Sequence, residues 1–180
     1  EKEVFVVASV FDKMMAAMER AGAVPLNSSQ IAKLTSSAFQ EVGEGTHRHL
    51  APSKELLGQD ASKLAAAAGV TVDPKVELLF GETAEDHPFV SIEQMMPFVP
   101  FVRCRDVDHA IELARHYEHG YRHTSIIHSR DVRNMTKMAR AMDTTLFVKN
   151  GSCMTSLGLG GEGYLSFSIA GPTGEGVTTP

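Results

Sequence analysis

The chain has 180 residues, 43% of them hydrophobic, which is enough for one domain with a buried core and short for two. Its formal net charge of −5, with lysines and arginines scattered rather than striped, argues against nucleic acid or an anionic membrane as the main partner. No run approaches the ~18 apolar residues of a membrane span, the opening residues lack the basic start of a signal peptide, and two distant cysteines, Cys104 and Cys153, suit a reducing cytoplasm better than a disulfide scaffold.

The sequence opens on Glu1-Lys2-Glu3 without an initiator Met and passes straight into Val4–Val7, a β-branched apolar run that reads as a buried strand. A helix capped near Ser9 follows, with Val10, Phe11, Met14, Met15 and Met18 at helical spacing. Asn27 to Phe39 predicts a second helix, with Asn27 as cap, Gln30 three residues on, and an apolar stripe at Ile31, Leu34 and Ala38. Between Gly43 and Pro52 the pattern breaks down. Ala61–Ala68 predicts a helix closed by Gly69, and after Pro74 the run Val76–Phe80 resembles a strand.

The clearest unit comes next: strand Phe98–Arg103, helix Asp106–Glu118, strand Thr124–His128, helix Asp131–Met142, strand Thr145–Val148. Asp106 and Asp131 stand at the helix starts and Gly120 ends the first helix. Strands joined by helical crossovers run parallel, so the three strands are expected in one sheet. The predicted fold class is α/β, a mainly parallel sheet with helices on both faces, in one domain over 1–180. The missing Met and bare ends read as a segment of a longer protein.

Eight of the fifteen glycines lie between Gly151 and Gly176, interspersed with Met154, Leu157, Leu159, Tyr164 and Phe167, a mixture that fits a packed functional loop better than a solvated linker. Gly158 to Gly163 matches GxGxxG. A dinucleotide fingerprint, however, needs a helix starting inside it, whereas Tyr164–Ile169 alternates like a strand, so that assignment is rejected.

Four further features invite chemistry. His116, His119 and His123 have metal-ligand character, but Gly120 ends the helix before His123, which leaves His116 and His119 as helix-end residues and predicts no metal site. His123, at a strand entrance before Thr124, is either a satisfied core contact or a site residue. Cys153 follows Asn150-Gly151-Ser152 past a strand without a base at defined spacing, a weak nucleophile candidate. Glu93, in Ser91-Ile92-Glu93-Gln94-Met95-Met96-Pro97, precedes a buried strand and is expected to be hydrogen-bonded, either to backbone amides or to ligand hydroxyls.

The order of segments resembles the aldehyde dehydrogenase superfamily, and within it the CoA-acylating branch of ethanolamine- and propanediol-utilisation enzymes. EKEVFVVASVFD is similar to the segment after that branch's nucleophilic cysteine, EQMMPFVPFVR to the superfamily's E-x-F-G-P-V strand entry, and GYRHTSIIHSRD, TTLFVKNG, LGLGGEGY and GPTGEGVT to successive later blocks. Met95 and Met96 depart from the superfamily's Phe-Gly.

The resemblance implies a short aldehyde and CoA as substrates, NAD as hydride acceptor, a cytoplasmic enzyme within reach of a bacterial microcompartment, and a homo-oligomeric parent. It makes Glu93 the cofactor-binding residue on the nicotinamide ribose and His123 the catalytic histidine near the thiol. Asn150, Gly158, Gly160, Gly161 and Gly163 become the substrate-site wall. The nucleophile is expected just before Glu1, the main NAD-binding domain further upstream and an oligomerisation strand after Pro180, so the chain alone is expected to be inactive. The rival class is a stand-alone α/β module that binds a metabolite or partner without catalysis.

Overall fold

The computed structural model describes residues 2–154. Its contacts divide the chain into two compact units, Glu1–Asp106 and Val107–Pro180, where length alone had suggested one domain. The predicted strand Tyr164–Ile169 and the glycines from Gly158 onward lie outside the described residues.

The first unit is built on four parallel strands in the order β1-β6-β5-β2, with β1 at Val4–Val7, β2 at Val24–Pro25, β5 at Leu79–Thr83 and β6 at Phe98–Cys104. Strand β6 is central and almost continuously apolar, as a parallel strand covered on both faces must be. Because neighbouring residues of a strand face opposite ways, Leu79 and Phe80 enter different cores. Phe80, Phe101, Val6 and Val4 pack against α1, Ala8–Arg20, through Phe11, Met14, Met15 and Met18. Leu79 and Phe98 pack on the other face with α2, Ser28–Ala38, α3, Ala61–Ala67, and α4, Pro88–Ser91. Each fully buried Leu or Phe there contributes roughly 1.5–3 kcal/mol before ordering entropy is counted.

Local chemistry accounts for most element ends. Asn27 closes a capping box on α2: its side chain accepts from the Gln30 N–H at 3.0 Å while the Gln30 carboxamide accepts from the Asn27 N–H at 2.8 Å. The expected cap at Ser9 is not found; α1 starts directly after β1, with Val7 at the N-cap and no side-chain bond. Arg103 secures the α1 face, its guanidinium 3.8 Å from the Phe11 ring centroid and bonded to Glu82 at 2.8 Å and Asp12 at 2.9 Å. The stretch that looked patternless holds half of an antiparallel hairpin, β3, Phe39–Val42, on β4, His49–Pro52. Its loop turns at Gly43, φ +90°, where a Cβ would sit 2.4 Å from the His47 carbonyl oxygen.

The second unit packs α5, Val107–Tyr117, and α6, Val132–Met142, on a two-stranded parallel sheet of β7, Thr124–Ile127, and β8, Leu146–Lys149. Ile111, Met138 and Met142 form its core, with Ile127 and Phe147 from the sheet against them. Lys137 of α6 pairs with Asp108 of α5. Asp131 caps α6 through a 2.8 Å bond from the Arg133 N–H, as its position predicted. The expected common sheet of three strands is corrected. Both edges of β6 are taken by β1 and β5, and β7 pairs with β8 in a separate sheet among the described residues.

Candidate functional site

The amino ends of β1 and β6 bring charged residues together in the first unit. Register puts Val4 beside Phe101, so the residues just before β1 run alongside the entrance of β6, the strand Glu93 precedes. Glu3 is largely buried, paired with Lys2 at 3.6 Å, both side chains under 15% exposed. Burial pushes its carboxyl up to about 7; Lys2 opposes the rise and the Glu93 charge adds to it. A carboxyl that changes charge near neutrality is suited to holding or passing a proton. Nothing in the sequence but an acidic residue against an apolar strand pointed to Glu3.

Glu93 itself is exposed, and its surroundings differ from expectation. The buried polar residue of the segment is the next one, Gln94, 8% exposed, whose side-chain oxygen accepts from the Met96 N–H at 3.2 Å. Met95 is 75% exposed while Met96 is buried, and the Met95 carbonyl accepts from the Gly58 N–H at 2.8 Å. The alternation Glu93 out, Gln94 in, Met95 out, Met96 in presents a carboxylate and a thioether to solvent from one anchored strip. That carboxylate, two acceptor oxygens on a fixed backbone, has the chemistry to receive a pair of sugar hydroxyls.

In the second unit His123 stands at the amino end of β7. Its N–H donates to Glu118 Oε1 at 3.3 Å, its carbonyl accepts from the Leu146 N–H at 3.0 Å, and Nδ1 lies 2.6 Å from Thr124 Oγ1. The backbone is fixed by the sheet, and the contact with Thr124 sets the orientation of the ring.

Asn150 lies at the other end of the same sheet, past β8. It is exposed, with φ +54°, and its amide is bonded to the Ser129 backbone in both directions. Ile127 pairs with Lys149, so the length of β7 separates His123 from Asn150, about 15 Å at ~3.3 Å per residue. The structure does not bring these two together. The remaining wall residues, Gly158, Gly160, Gly161 and Gly163, lie outside the described residues.

His116 and His119 are exposed at the end of α5, which stops at Tyr117 with Gly120 at φ +80°. They border an open cleft of about 520 Å³ with Ile111, Glu112 and Arg115, and His123 is not among its lining residues. Among the described residues no group of three His, Cys, Asp or Glu is placed to hold a metal, and no helix is long and apolar enough to cross a membrane. Cys104 is buried, its thiol pushed up to about 11 by burial and the nearby Glu85 charge, which makes it a poor nucleophile. Cys153 is partly exposed beyond β8.

Over its whole length the chain matches known proteins. It is 46% identical to the acetylating acetaldehyde dehydrogenase EutE of Salmonella typhimurium, over 99% of this chain and 38% of that protein. The crystal structure of Rhodopseudomonas palustris propionaldehyde dehydrogenase with bound propionyl-CoA superposes with a TM-score of 0.87 at 41% identity, covering 99% of this chain and 38% of that one. The same enzyme is known with bound CoA and an acylated cysteine. An engineered glycolyl-CoA reductase with bound NADP+ superposes with a TM-score of 0.86 at 40% identity, covering 39% of that chain. No protein-family model matches the chain. The chain is a relative of the CoA-acylating aldehyde dehydrogenases and spans about 38% of the length of the curated relatives it matches.

Proposed function

We propose that this chain, homologous to one segment of the CoA-acylating aldehyde dehydrogenases, contributes the cofactor-facing carboxylate and a catalytic histidine to an enzyme that converts a short aldehyde and CoA to an acyl-CoA. The observation that carries this reading is the 46% identity over 99% of the chain with an acetylating acetaldehyde dehydrogenase. The net reaction joins the aldehyde carbon to the CoA sulfur. It releases a hydride from that carbon to a nicotinamide dinucleotide and one proton to solvent.

Covalent capture of the aldehyde calls for a thiolate, a strong nucleophile that also leaves well when CoA displaces it. Cys104 is too buried to serve, and Cys153 lies at the sheet end away from His123. In keeping with the resemblance, we propose that the nucleophile lies in a segment preceding Glu1 in the parent protein. That neighbourhood is where Glu3 sits and where Glu93 exerts its charge. A bound nicotinamide dinucleotide supplies the hydride acceptor, and the part of Glu93 is to accept hydrogen bonds from its ribose hydroxyls. The part of His123 is to hold or move a proton at Nε2 while Thr124 and Glu118 keep its orientation. A homo-oligomeric parent belongs to the same proposal.

The test is an assay of the parent protein with acetaldehyde or propionaldehyde, CoA and NAD or NADP. Dinucleotide reduction that requires CoA, with acyl-CoA as product, supports the reading. A parent that releases free carboxylic acid whether or not CoA is present would overturn it.

A further inference from the structure

We propose that His87, in its neutral form, is a positioning residue that pins the turn leading to Glu93 onto α2, and that it releases this turn on protonation. The functional half of the proposal rests on the reading of Glu93 given above; the mechanical half does not.

His87 is half-buried at the start of α4 and both ring nitrogens are engaged. Nδ1 accepts from the Phe89 N–H at 3.3 Å, which places the ring proton on Nε2. Nε2 lies 3.3 Å from Thr35 Oγ1 and therefore donates to it, and Thr35 in turn donates to the Ile31 carbonyl at 2.7 Å. A single directed line of hydrogen bonds thus runs from the first N–H of α4 through the imidazole into the backbone of α2.

The ring also stacks on Phe89, planes 6° apart with centroids at 5.7 Å, and Phe89 is fully buried against Phe39 and Phe98 at 4.8 and 4.6 Å. The His87 carbonyl accepts the N–H of Val90 at 2.8 Å and of Ser91 at 3.1 Å. Ile92 ends the turn and Glu93 follows it. From Gln94 onward other bonds take over, to Met96 and Gly58, so the reach of Glu93 is set on its upstream side by the His87 turn.

Only a neutral ring fits this site. Protonation of Nδ1 removes the acceptor and sets two N–H groups against each other. Burial already holds the imidazole below its usual range, against the opposing charge of Asp86; α2 meets it with the Thr35 hydroxyl and α4 with the Phe89 ring. A lowered folded pKa means that the clamp's contribution is fully present above the unfolded value of 6.5 and is lost as the pH falls through the folded value.

The experiment has two arms. In this chain, amide exchange protection of Phe89–Ile92, corrected for intrinsic rates, is expected to fall about fivefold as the pH is lowered from 7.5 through the folded value of the imidazole, the size of a lost helix cap, while β5 and β6 keep theirs. His87→Ala should lower that protection at both ends of that range. His87→Asn, whose short side chain can still accept from the Phe89 N–H but loses the Thr35 bond, should restore only the cap's share of it and remove the pH dependence, and full restoration would overturn the pin onto α2. Protection unchanged in His87→Ala overturns the clamp.

In the parent enzyme, His87→Ala should raise the KM for the dinucleotide several-fold with kcat largely kept, and His87→Asn should rescue it in part. If Glu93→Gln raises that KM and His87→Ala does not, the positioning role is overturned while the reading of Glu93 stands. If Glu93→Gln leaves KM unchanged, it is the reading of Glu93 that has failed, and the functional half falls with it.

Discussion

Asn150 and Ser129 are joined as two strands would be: the Asn150 Oδ1 accepts from the Ser129 N–H at 2.9 Å and its Nδ2 donates to the Ser129 carbonyl at 3.0 Å. The side chain imitates a peptide group and ties the exits of β7 and β8 together one residue beyond the last ladder pair, where the Asn150 N–H still donates to the Ile127 carbonyl.

Asn150→Asp is therefore expected to be worse than a neutral exchange on the surface. It keeps one bond and turns the other into an oxygen facing an oxygen, at a cost of about 1–2 kcal/mol. Asn150→Gly keeps the left-handed backbone but loses both bonds, with a similar cost. Thermal melting together with exchange of the Ser129 amide checks both. A variant that melts with the native chain would return this bond pair to ornament.

A carboxyl with its pKa near 7 makes the first unit lose stability as the pH rises toward neutrality. Glu3 holds its proton more tightly folded than unfolded, so the stability it contributes is fully present below pH 4.5 and drains away as the pH rises through about 7. Glu3→Gln cannot ionise and should flatten the profile, gaining on the native chain as the pH rises from 4.5 to about 7. Urea midpoints across that range measure it, and parallel profiles for the two proteins would contradict it.

His123→Ala in the parent enzyme should lower turnover by ~10²–10⁴, the usual worth of a general acid or base, with little loss of melting temperature. The backbone bonds to Glu118 and Leu146 survive the change, which is why the fold should persist. Thr124→Val removes the hydroxyl beside Nδ1 and should cost a smaller part of the same rate. A fall in melting with acylation of the folded enzyme at the parental rate would make His123 a core residue only.

This chain alone should not reduce NAD with aldehyde and CoA, and its thiols should differ sharply. Cys153 should react with a thiol reagent in the native state while Cys104 waits for unfolding. Turnover that disappears in Cys153→Ser would show that the chemistry has been misplaced.

Much of the local structure was legible because it depends on neighbours in sequence. The Asn27–Gln30 box, the Asp131 cap and the turn at Gly120 each follow from residues within a few positions. What could not be read was pairing at a distance. The run from Phe98 to Val148 has the periodicity of one alternating sheet, yet β6 is already occupied on both edges by β1 and β5, a fact no local pattern carries. The hairpin β3–β4 stayed hidden for another reason: Gln40, Glu41, His49 and Leu50 are all exposed, so the strands lack the apolar alternation by which a half-buried pair is recognised. Glu93 was singled out through its motif, while Glu3 and His87 were invisible because their character comes from burial and from partners in other elements.

The strand order of the first unit also sets a timetable. Among the described residues its central strand, β6, is the last of the four to be synthesised, and β1, at the end of the strand order, is the first. With synthesis at ~5–20 residues per second, β1 waits roughly 5–20 s for its partner Phe101 to Cys104 to leave the ribosome. The helices can form early from their own caps and stripes, but the sheet closes only across nearly the whole unit, a long-range step that is slow by its topology. A nascent chain stopped before Phe98 therefore presents an apolar, unclosed sheet, and such an intermediate is the natural client of a chaperone.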